Sequence, residues 1–412
     1  MLFRSLNLRL PGRALLALVA CLPVRAAAQA PSGWPAFTRQ LEQYVAADSI
    51  VGAATLVMKD GRVLAHHEVG FGDRARGERV DTNTIFHWGS ITKTLTAIAV
   101  MQQVEAGKLS LDAKVTSFIP ELKRVYAGPG ASMDDITVRM LLSHSSGLQG
   151  GTWTWTRGEA WEPFEPTTWE QLVAMMPYQR LGFRPDAKYS YSNPGFVYLA
   201  RIVEQVTGDP WEAYVQKNIF TPLGLTRSYF NGTPRHLAAY RSNNYDFVRD
   251  SARGPLVREN GRDFNPGITI PNGGWNAPLG DLARYVGFLT GAAVEVPSRG
   301  EPAPRADAAT RALYETIIPH RTLDAMWVPR FPVNPPDTAG EWMGMSFFVH
   351  TLPWGRVVGH TGSQAGFRSF FYWNPANRMA VITVVNTSNA VDNRASSAGF
   401  RQLIATGKDL LK

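Results

Sequence analysis

The chain has 412 residues, of which 44% are hydrophobic and 18% charged, and its formal net charge is +8. This balance excludes a disordered chain and is typical of a globular protein with one large or two ordinary domains. No run of basic residues and no ladder of aromatic residues accompanies the positive charge, so nucleic acid is not an expected partner.

The N-terminus has the pattern of an export signal. Residues 1–28 contain four arginines, no acidic residue and an apolar stretch from Ala14 to Val24, which is too short for a transmembrane span. We expect cleavage after Ala28, because Ala26 and Ala28 form the A-x-A pattern of signal peptidase sites. The net charge then falls from +8 to +4, and the predicted location is periplasmic or secreted.

Cys21, the only cysteine, offers a second route of export. It lies in "LVAC", which resembles a bacterial lipobox, where the cysteine becomes a lipid-anchored first residue. The alternative is a small hydrophobic residue inside the signal. With either route, we expect no disulfide and no thiol chemistry in the exported part, residues 29–412.

The hydrophobic patterns predict strands near both ends of the chain and helices between them. "IVGAATLVMKDGRVLAHHEVGFG" predicts two strands joined at an Asp-Gly turn, after a short helix in "WPAFTRQLEQYVAAD". The segment from Phe86 predicts a buried helix that ends at Gly107. Further strands are predicted in "WMGMSFFVH", "GRVVGHTG", "FRSFFYWNP" and "RMAVITVVNTS", before a closing helix around "ASSAGFRQLIATGKDLL".

This order predicts an α/β (α+β) fold, in which one antiparallel sheet is built from both chain ends, flanked by helices, and carries an inserted, mostly helical lobe. The sheet lobe would comprise about residues 36–105 and 336–412, the helical lobe about 106–335, and the cleft would lie between them. The tryptophan-rich stretch near 150–168 and the polar stretch near 240–267 are either solvated loops or walls of that cleft.

Ser90 and Lys93 are the first candidates for chemistry. Three residues apart at the start of an apolar helix, they share one face, and the helix N-terminus offers backbone N–H groups to a developing oxyanion. Burial disfavours the charged form of a lysine, so Lys93 can approach the neutral amine that takes a proton from Ser90.

Tyr191 and Asn193, in "KYSYSNPGF", are the second pair. A tyrosine near a lysine can have a lowered phenol pKa and shuttle a proton, and an asparagine can hold a lysine or a substrate amide. The same pattern recurs at Tyr229 and Tyr372, but only Tyr191 precedes a predicted helix.

His360, Thr361 and Gly362, in "GRVVGHTGSQAGF", form the third motif. A glycine at a strand end lets a ligand approach the backbone, and a following N–H can complete an oxyanion hole. By itself, the motif is more typical of a strand exit that carries a hydrogen-bonded structural histidine.

With the three motifs in this order, the chain resembles the serine β-lactamase and DD-peptidase superfamily, particularly the branch of class C β-lactamases, serine DD-carboxypeptidases, D-aminopeptidases and related esterases. The resemblance spans most of the mature chain. It is carried by "HWGSITKTLTAIAVMQQVEAGKLSLDAKV", "ITVRMLLSHSSGL", "YSYSNPGFVYLARIVEQVTG", "FTPLGL", "NGGW...GDLARY" and "GHTGSQAGF".

The resemblance implies a role for each candidate. Ser90 would be the acylated nucleophile, Lys93 and Tyr191 the proton-transfer pair, and Asn193 the residue that positions lysine and substrate. The segment His360, Thr361, Gly362 and Ser363 would lie beside the substrate, with the backbone N–H groups of Ser90 and Ser363 as the oxyanion hole.

Two positions depart from the family pattern. Class C β-lactamases have a lysine at the position of His360, and a neutral histidine attracts a substrate carboxylate less strongly than a lysine does. This favours a relative that is not an efficient β-lactamase. Asn276 and Ala277 stand where relatives usually show a Ser-Thr pair.

The remaining candidates do not point to other chemistry. We interpret His144 as structural, because it matches no catalytic position of the resemblance. His66 and His67 are adjacent on a strand, point to opposite faces and cannot form a compact metal pair, so no metal and no cofactor is expected. The chain has no G-x-S-x-G elbow and no glycine-rich phosphate loop.

The predicted function is therefore an exported serine hydrolase that cleaves an amide or ester in a small molecule or peptide through an acyl-enzyme on Ser90. D-amino-acid peptides, small esters and β-lactams all remain open as substrates. Trp153, Trp155 or Trp161 in the cleft would favour esters, and arginines there would favour a C-terminal carboxylate. The alternative is a non-catalytic penicillin-binding or cell-wall-peptide-binding protein of the same fold. The oligomeric state is left open.

Overall fold

The computed structural model describes residues 30–148, 166–250, 254–291, 308–335, 340–389 and 395–412. The predicted export signal, Cys21 and the three tryptophans of the 150–168 stretch (Trp153, Trp155 and Trp161) lie outside the described residues.

The α-helices are α1 Trp34–Ala47, α2 Thr92–Glu105, α3 Val138–Leu142, α4 Trp169–Met175, α5 Asn193–Thr207, α6 Trp211–Val215, α7 Thr221–Leu223, α8 Ile270–Gly273, α9 Leu279–Leu289, α10 Ala308–Ile317, α11 His320–Met326 and α12 Ala395–Asp409. The strands are β1 Gly52–Lys59, β2 Arg62–Asp73, β3 Glu78–Arg79, β4 Ile85–His87, β5 Asn244–Asp250, β6 Gly254–Gly261, β7 Asn276–Pro278, β8 Phe331–Pro332, β9 Glu341–Met343, β10 Phe348–Leu352, β11 Gly355–Gln364, β12 Phe367–Trp373, β13 Met379–Val385 and β14 Thr387–Asn389.

One antiparallel sheet joins the two ends of the chain, as predicted. Within the described residues its order is β3-β2-β1-β13-β12-β11-β10-β9-β8. The N-terminal strand β1 pairs with the C-terminal strand β13 from Ala53 opposite Val385 to Lys59 opposite Met379. Asp60 and Gly61, both at positive φ, make the tight turn between β1 and β2. The predicted fold class is confirmed.

Helices pack on both faces of this sheet, and successive side chains of its central strands point alternately to the two faces. Phe371 and Ile382 belong to the larger core, together with the apolar residues of α2, α5 and α9. Phe370 and Val381, one position earlier in each strand, belong to a second core under α1 and α12. Because successive residues of a strand point to opposite faces, two buried faces require the continuous apolar runs seen in these strands.

The helix α2 is the buried helix that the sequence predicts. Eleven of its residues are buried, including Lys93, and it packs on α5 and α8. The chain leaves the helix at Gly107, which has a φ of +67°. Only glycine adopts this left-handed conformation without steric cost, so it suits the position after a helix C-terminus.

The 240–267 stretch differs from its predicted description as a loop. It contains β5 and β6, which pair as an antiparallel hairpin, and β5 also pairs in parallel with β14. Asn244, Tyr245, Asp246 and Phe247 alternate polar and aromatic side chains at the start of β5, and this period of two was a strand signal that the polarity of the stretch concealed.

None of the helices within the described ranges is long and apolar enough to cross a membrane.

Candidate active site

The serine and the lysine of the first motif lie together at the start of α2. Residues Gly89–Ile91 form a 3-10 turn that leads directly into the helix. Lys93 is fully buried, and its Nζ lies 3.1 Å from the Ser90 Oγ and donates to the backbone carbonyl of Asn272 at 2.7 Å. Among the described residues, no carboxylate pairs with this amine. Burial therefore holds the pKa of Lys93 well below its ordinary value and makes the neutral amine more accessible.

Tyr191 lies directly above the lysine. The Lys93 Nζ is 4.9 Å from the centroid of the Tyr191 ring. Ser192 then caps α5, because its hydroxyl accepts from the backbone N–H of Gly195. Burial raises the pKa of the Tyr191 phenol, while a hydrogen bond with the Ser90 side chain lowers it by a smaller amount. The expectation of a lowered phenol pKa is wrong, because the loss of water on burial outweighs the hydrogen bond with Ser90 that favours the phenolate.

Asn193 lies on the wall of the same cavity, but its side chain does not hold the lysine. Its buried Oδ1 has no hydrogen-bond partner within the described residues. The lysine is held by the carbonyl of Asn272, whose Nδ2 donates to the backbone carbonyl of Asn193 at 3.3 Å. Asn272 begins the "NGGW" stretch that helps carry the resemblance, but no role was predicted for it.

Strand β11 forms the opposite wall of the cavity. Thr361, Gly362 and Ser363 line it, whereas His360 does not. His360 is fully buried, packs against the Phe348 and Tyr191 rings, and has its Nδ1 2.6 Å from the carbonyl oxygen of Thr361. Burial, reinforced by nearby Lys93, lowers the pKa of His360 to about 3. In the structure this histidine is therefore a buried, neutral packing residue next to Tyr191.

The two unusual residues Asn276 and Ala277 support the turn that carries Ser90. They lie in β7, which pairs with β4, the strand that ends just before that turn. The Asn276 Oδ1 is 2.9 Å from the His87 Nδ1, and the indole N–H of Trp88 donates to the carbonyl of Ala277. The pair thus fixes the backbone that leads to the serine.

The cavity between these walls has a volume of about 520 Å³. Besides the motif residues, its lining includes five residues that no motif marks: Phe348, Arg368, Phe400, Arg401 and Ile404. They come from β10, β12 and α12, and the sequence carried no signal that these elements would reach the site.

The histidines outside this cavity show no metal-binding arrangement. Among the described residues, no group of three or more histidine, cysteine, aspartate or glutamate side chains could hold a metal ion. His66 pairs with Glu68, and His67 pairs with Glu42.

The fold is of the β-lactamase/transpeptidase-like class, whose family contains serine hydrolases. The family model described as beta-lactamase matches residues 37–406, and the chain belongs to that family.

Curated relatives include esterases and penicillin-binding proteins. Lovastatin esterase from Penicillium rubens is 32% identical over 53% of this chain and 57% of its own. Penicillin-binding protein 4 from Amycolatopsis lactamdurans is 35% identical over 43% of this chain and 44% of its own. The chain spans about half the length of the curated relatives it matches.

Solved structures share the fold over nearly the whole chain. A D-stereospecific amidohydrolase from a Streptomyces species has a TM-score of 0.68 at 23% identity, over 90% of this chain and 98% of its own. A class C beta-lactamase has a TM-score of 0.67 at 19% identity, over 92% of this chain and 95% of its own. At these identities the likeness concerns the fold alone.

Proposed function

We propose that this protein is an exported serine hydrolase that cleaves an amide or ester bond through an acyl-enzyme on Ser90. The observation that carries the proposal is the fully buried Lys93 amine, 3.1 Å from the Ser90 hydroxyl and with no carboxylate partner among the described residues. Burial without a counter-charge lowers the pKa of this amine, and its neutral form can accept the proton that makes serine a nucleophile.

In the proposed acylation, the Ser90 Oγ attacks the substrate carbonyl carbon while its proton passes to the Lys93 Nζ. The oxyanion that forms is stabilised by the backbone N–H groups of Ser90 and Ser363. The proton then passes through the Tyr191 hydroxyl to the leaving nitrogen or oxygen, whose bond to the carbonyl carbon breaks. Because Tyr191 remains protonated, it acts as a donor and relay and not as a standing phenolate.

Deacylation reverses these roles. A water attacks the acyl carbon, gives a proton to the Lys93 and Tyr191 pair, and releases the acid product while Ser90 regains its proton. In this scheme Asn193 and Thr361 contact the substrate, since both line the cavity.

The cavity lining favours substrates that carry a carboxylate. Arg368 and Arg401 both contribute to the wall, and Arg368 also interacts with the Tyr44 side chain and the Asp48 carboxylate. Phe348, Phe400 and Ile404 supply an apolar surface beside them. Guanidinium groups bind carboxylates through charge-assisted hydrogen bonds, so we place D-amino-acid peptides and β-lactams ahead of neutral esters.

We also propose that the protein is exported. Residues 1–28 would be removed, or Cys21 would carry a lipid, and residues 29–412 would act as one domain in the periplasm or outside the cell. The intact mass of the protein recovered from its native host separates the alternatives, because cleavage after Ala28 and lipidation at Cys21 leave different N-termini.

The test of the chemistry is a mass time course. The wild-type protein and Ser90→Ala are each mixed with a fluorophosphonate probe and, separately, with a penicillin, and intact masses are followed from seconds to an hour. We expect a Ser90-dependent fluorophosphonate adduct. If Ser90→Ala is labelled as fast as the wild type, or if neither is labelled, the proposal is wrong. The alternative function, a non-catalytic binding protein of the same fold, then remains. A long-lived penicillin adduct indicates a peptidase, and rapid loss with consumption of the drug indicates a β-lactamase.

A further inference from the structure

His144, which the sequence reasoning set aside as structural, touches the proposed relay residue Tyr191. The His144 and Tyr191 rings are stacked, with centroids 4.4 Å apart and planes inclined by 25°. His144 is 1% exposed and is absent from the cavity lining, so it reaches the site only through the tyrosine.

His144 also holds the backbone on both sides of Tyr191. The backbone N–H of Ser192 donates to the His144 Nδ1 at 3.0 Å. The backbone N–H of Ser190 donates to the His144 carbonyl at 2.8 Å. One residue from a distant loop thus fixes the residue before the tyrosine, the residue after it and the ring itself.

The hydrogen bond from Ser192 shows which nitrogen of the His144 imidazole carries the proton. An Nδ1 that accepts a hydrogen bond carries no proton, so the proton of the neutral ring is on Nε2. Three aromatic rings face the imidazole, those of Tyr189, Tyr191 and Phe196. The basic side chains that act on it are Lys93 and His360. Burial and the last two hold the pKa of His144 well below its ordinary value. A protonated ring would lose the acceptor that Ser192 requires.

The backbone of His144 adopts an unusual conformation. Its φ is +55°, in the left-handed region that non-glycine residues seldom adopt. Such a conformation persists where surrounding contacts enforce it, and it is concentrated at functional sites.

We propose that His144 is a positioning residue that holds the Tyr191 hydroxyl at Ser90 and Lys93, through the neutral Nδ1 acceptor and the stacked ring. The inference rests on the proposed function, since it assigns a purpose to Tyr191 only if Ser90 is acylated. It predicts that loss of His144 slows proton transfer while substrate binding is almost unchanged.

The experiment measures the fluorophosphonate labelling rate and the kcat and KM for p-nitrophenyl acetate in three variants. His144→Phe keeps a ring without the acceptor, His144→Asn keeps an acceptor without the ring and tolerates a positive φ, and His144→Ala keeps neither. We expect the alanine and phenylalanine variants to label at least tenfold more slowly, with KM within about threefold of wild type and kcat reduced. His144→Asn should recover part of the lost rate.

A double-mutant cycle separates positioning from a general structural role. In the Tyr191→Phe background, His144→Ala should slow labelling by less than about twofold, because the hydroxyl it positions is already gone. Ser143→Ala is the matched control, since Ser143 is buried next to His144 and bonds to Arg139 and Ser145 instead of the tyrosine segment. It should label at the wild-type rate.

The outcomes are distinguishable. Suppose that Ser90 is labelled in the wild type but His144→Ala is labelled at the wild-type rate. The positioning role is then wrong, and the proposed function stands. The same conclusion follows if His144→Ala slows labelling equally in the wild-type and Tyr191→Phe backgrounds. If Ser90 is not labelled in the wild type, the proposed function fails first. Should His144→Ala fail to fold, the phenylalanine and asparagine variants decide the question by the same comparison.

Discussion

Gly89 faces the backbone nitrogen of Ser363 so closely that a β-carbon on Gly89 would lie 2.8 Å from that nitrogen. The contact joins the turn that carries Ser90 to strand β11. Gly89 also has a φ of +54°, which disfavours any residue with a side chain. The two backbones that would form the oxyanion hole are therefore brought together by the absence of one side chain.

Gly89→Ala should impair the oxyanion hole. The added methyl must displace Ser363 or the serine turn, and loss of an oxyanion donor typically slows catalysis by about 10²–10³-fold. The fluorophosphonate labelling rate measures the effect. Gly107→Ala is the matched control, because Gly107 also has a positive φ but no atom within 4 Å of an added β-carbon. Both variants should lose about 1–2 kcal/mol of stability from the strained φ, and only Gly89→Ala should lose activity.

Lys93→Met should abolish acylation and leave the protein folded. The methionine fills a similar volume, and it removes both the proton acceptor and the desolvation cost of a buried amine. We expect labelling to slow by at least about 10³-fold and the thermal midpoint to stay the same or rise. Lys108→Met, at an exposed lysine, serves as the control. Near-normal turnover in Lys93→Met would remove the lysine from the mechanism.

The pH dependence of labelling should follow the neutral amine. The pKa of Lys93 is lowered in the folded protein, so the active neutral form persists to lower pH than for an ordinary lysine and is lost as pH falls through the lowered pKa. The labelling rate of the wild type should therefore decline on acidification, measured over a pH range in which the protein stays folded. A rate that keeps rising up to the ordinary lysine pKa would show that Lys93 is charged in the resting protein.

Arg401→Gln should weaken the binding of substrates that carry a carboxylate. A hydrogen bond to a charged group contributes about 1.5–3 kcal/mol, so KM for a penicillin or a D-amino-acid peptide should rise about tenfold or more. KM for neutral p-nitrophenyl acetate should change little. The exposed Arg356→Gln is the control for loss of one positive charge. An equal change in KM for both kinds of substrate would show that Arg401 does not bind the substrate carboxylate.

Lys408 should make stability depend on pH in the alkaline range. Its Nζ is 2.9 Å from the His350 Nε2, which is 2.8 Å from a Glu341 oxygen, and burial lowers the pKa of Lys408 from 10.5 to about 8. Between these two values the unfolded chain binds more protons than the folded one, so the free energy of unfolding rises with pH across that window. Lys408→Met should lack this rise, which we expect to be roughly 1–3 kcal/mol.

Denaturant unfolding at pH 7.5 and pH 10 would measure that difference, in parallel for wild type and variant. Lys412→Met is the control, because Lys412 is exposed and pairs with Asp409 in the same C-terminal segment. An equal pH response in wild type and Lys408→Met would show that Lys408 keeps its ordinary pKa.

The sequence alone was enough for features that depend on neighbours along the chain. The spacing of three between Ser90 and Lys93 places both on one helix face, and the Asp60-Gly61 pair makes a hairpin in any context that allows it. The order of predicted strands near both ends and helices between them indicated one sheet built from both chain ends. These are local rules, and the fold class followed from them.

The tertiary structure alone decided the contacts between distant segments and the electrostatics that depend on them. Asn272 holds Lys93 across 179 residues, and the loop of His144 meets Tyr191 across 47. The raised pKa of Tyr191 reversed an expectation drawn from residue type. The physical reason is that a pKa reflects the water and charge removed or brought near by packing, and no spacing along the chain records which segments will pack together.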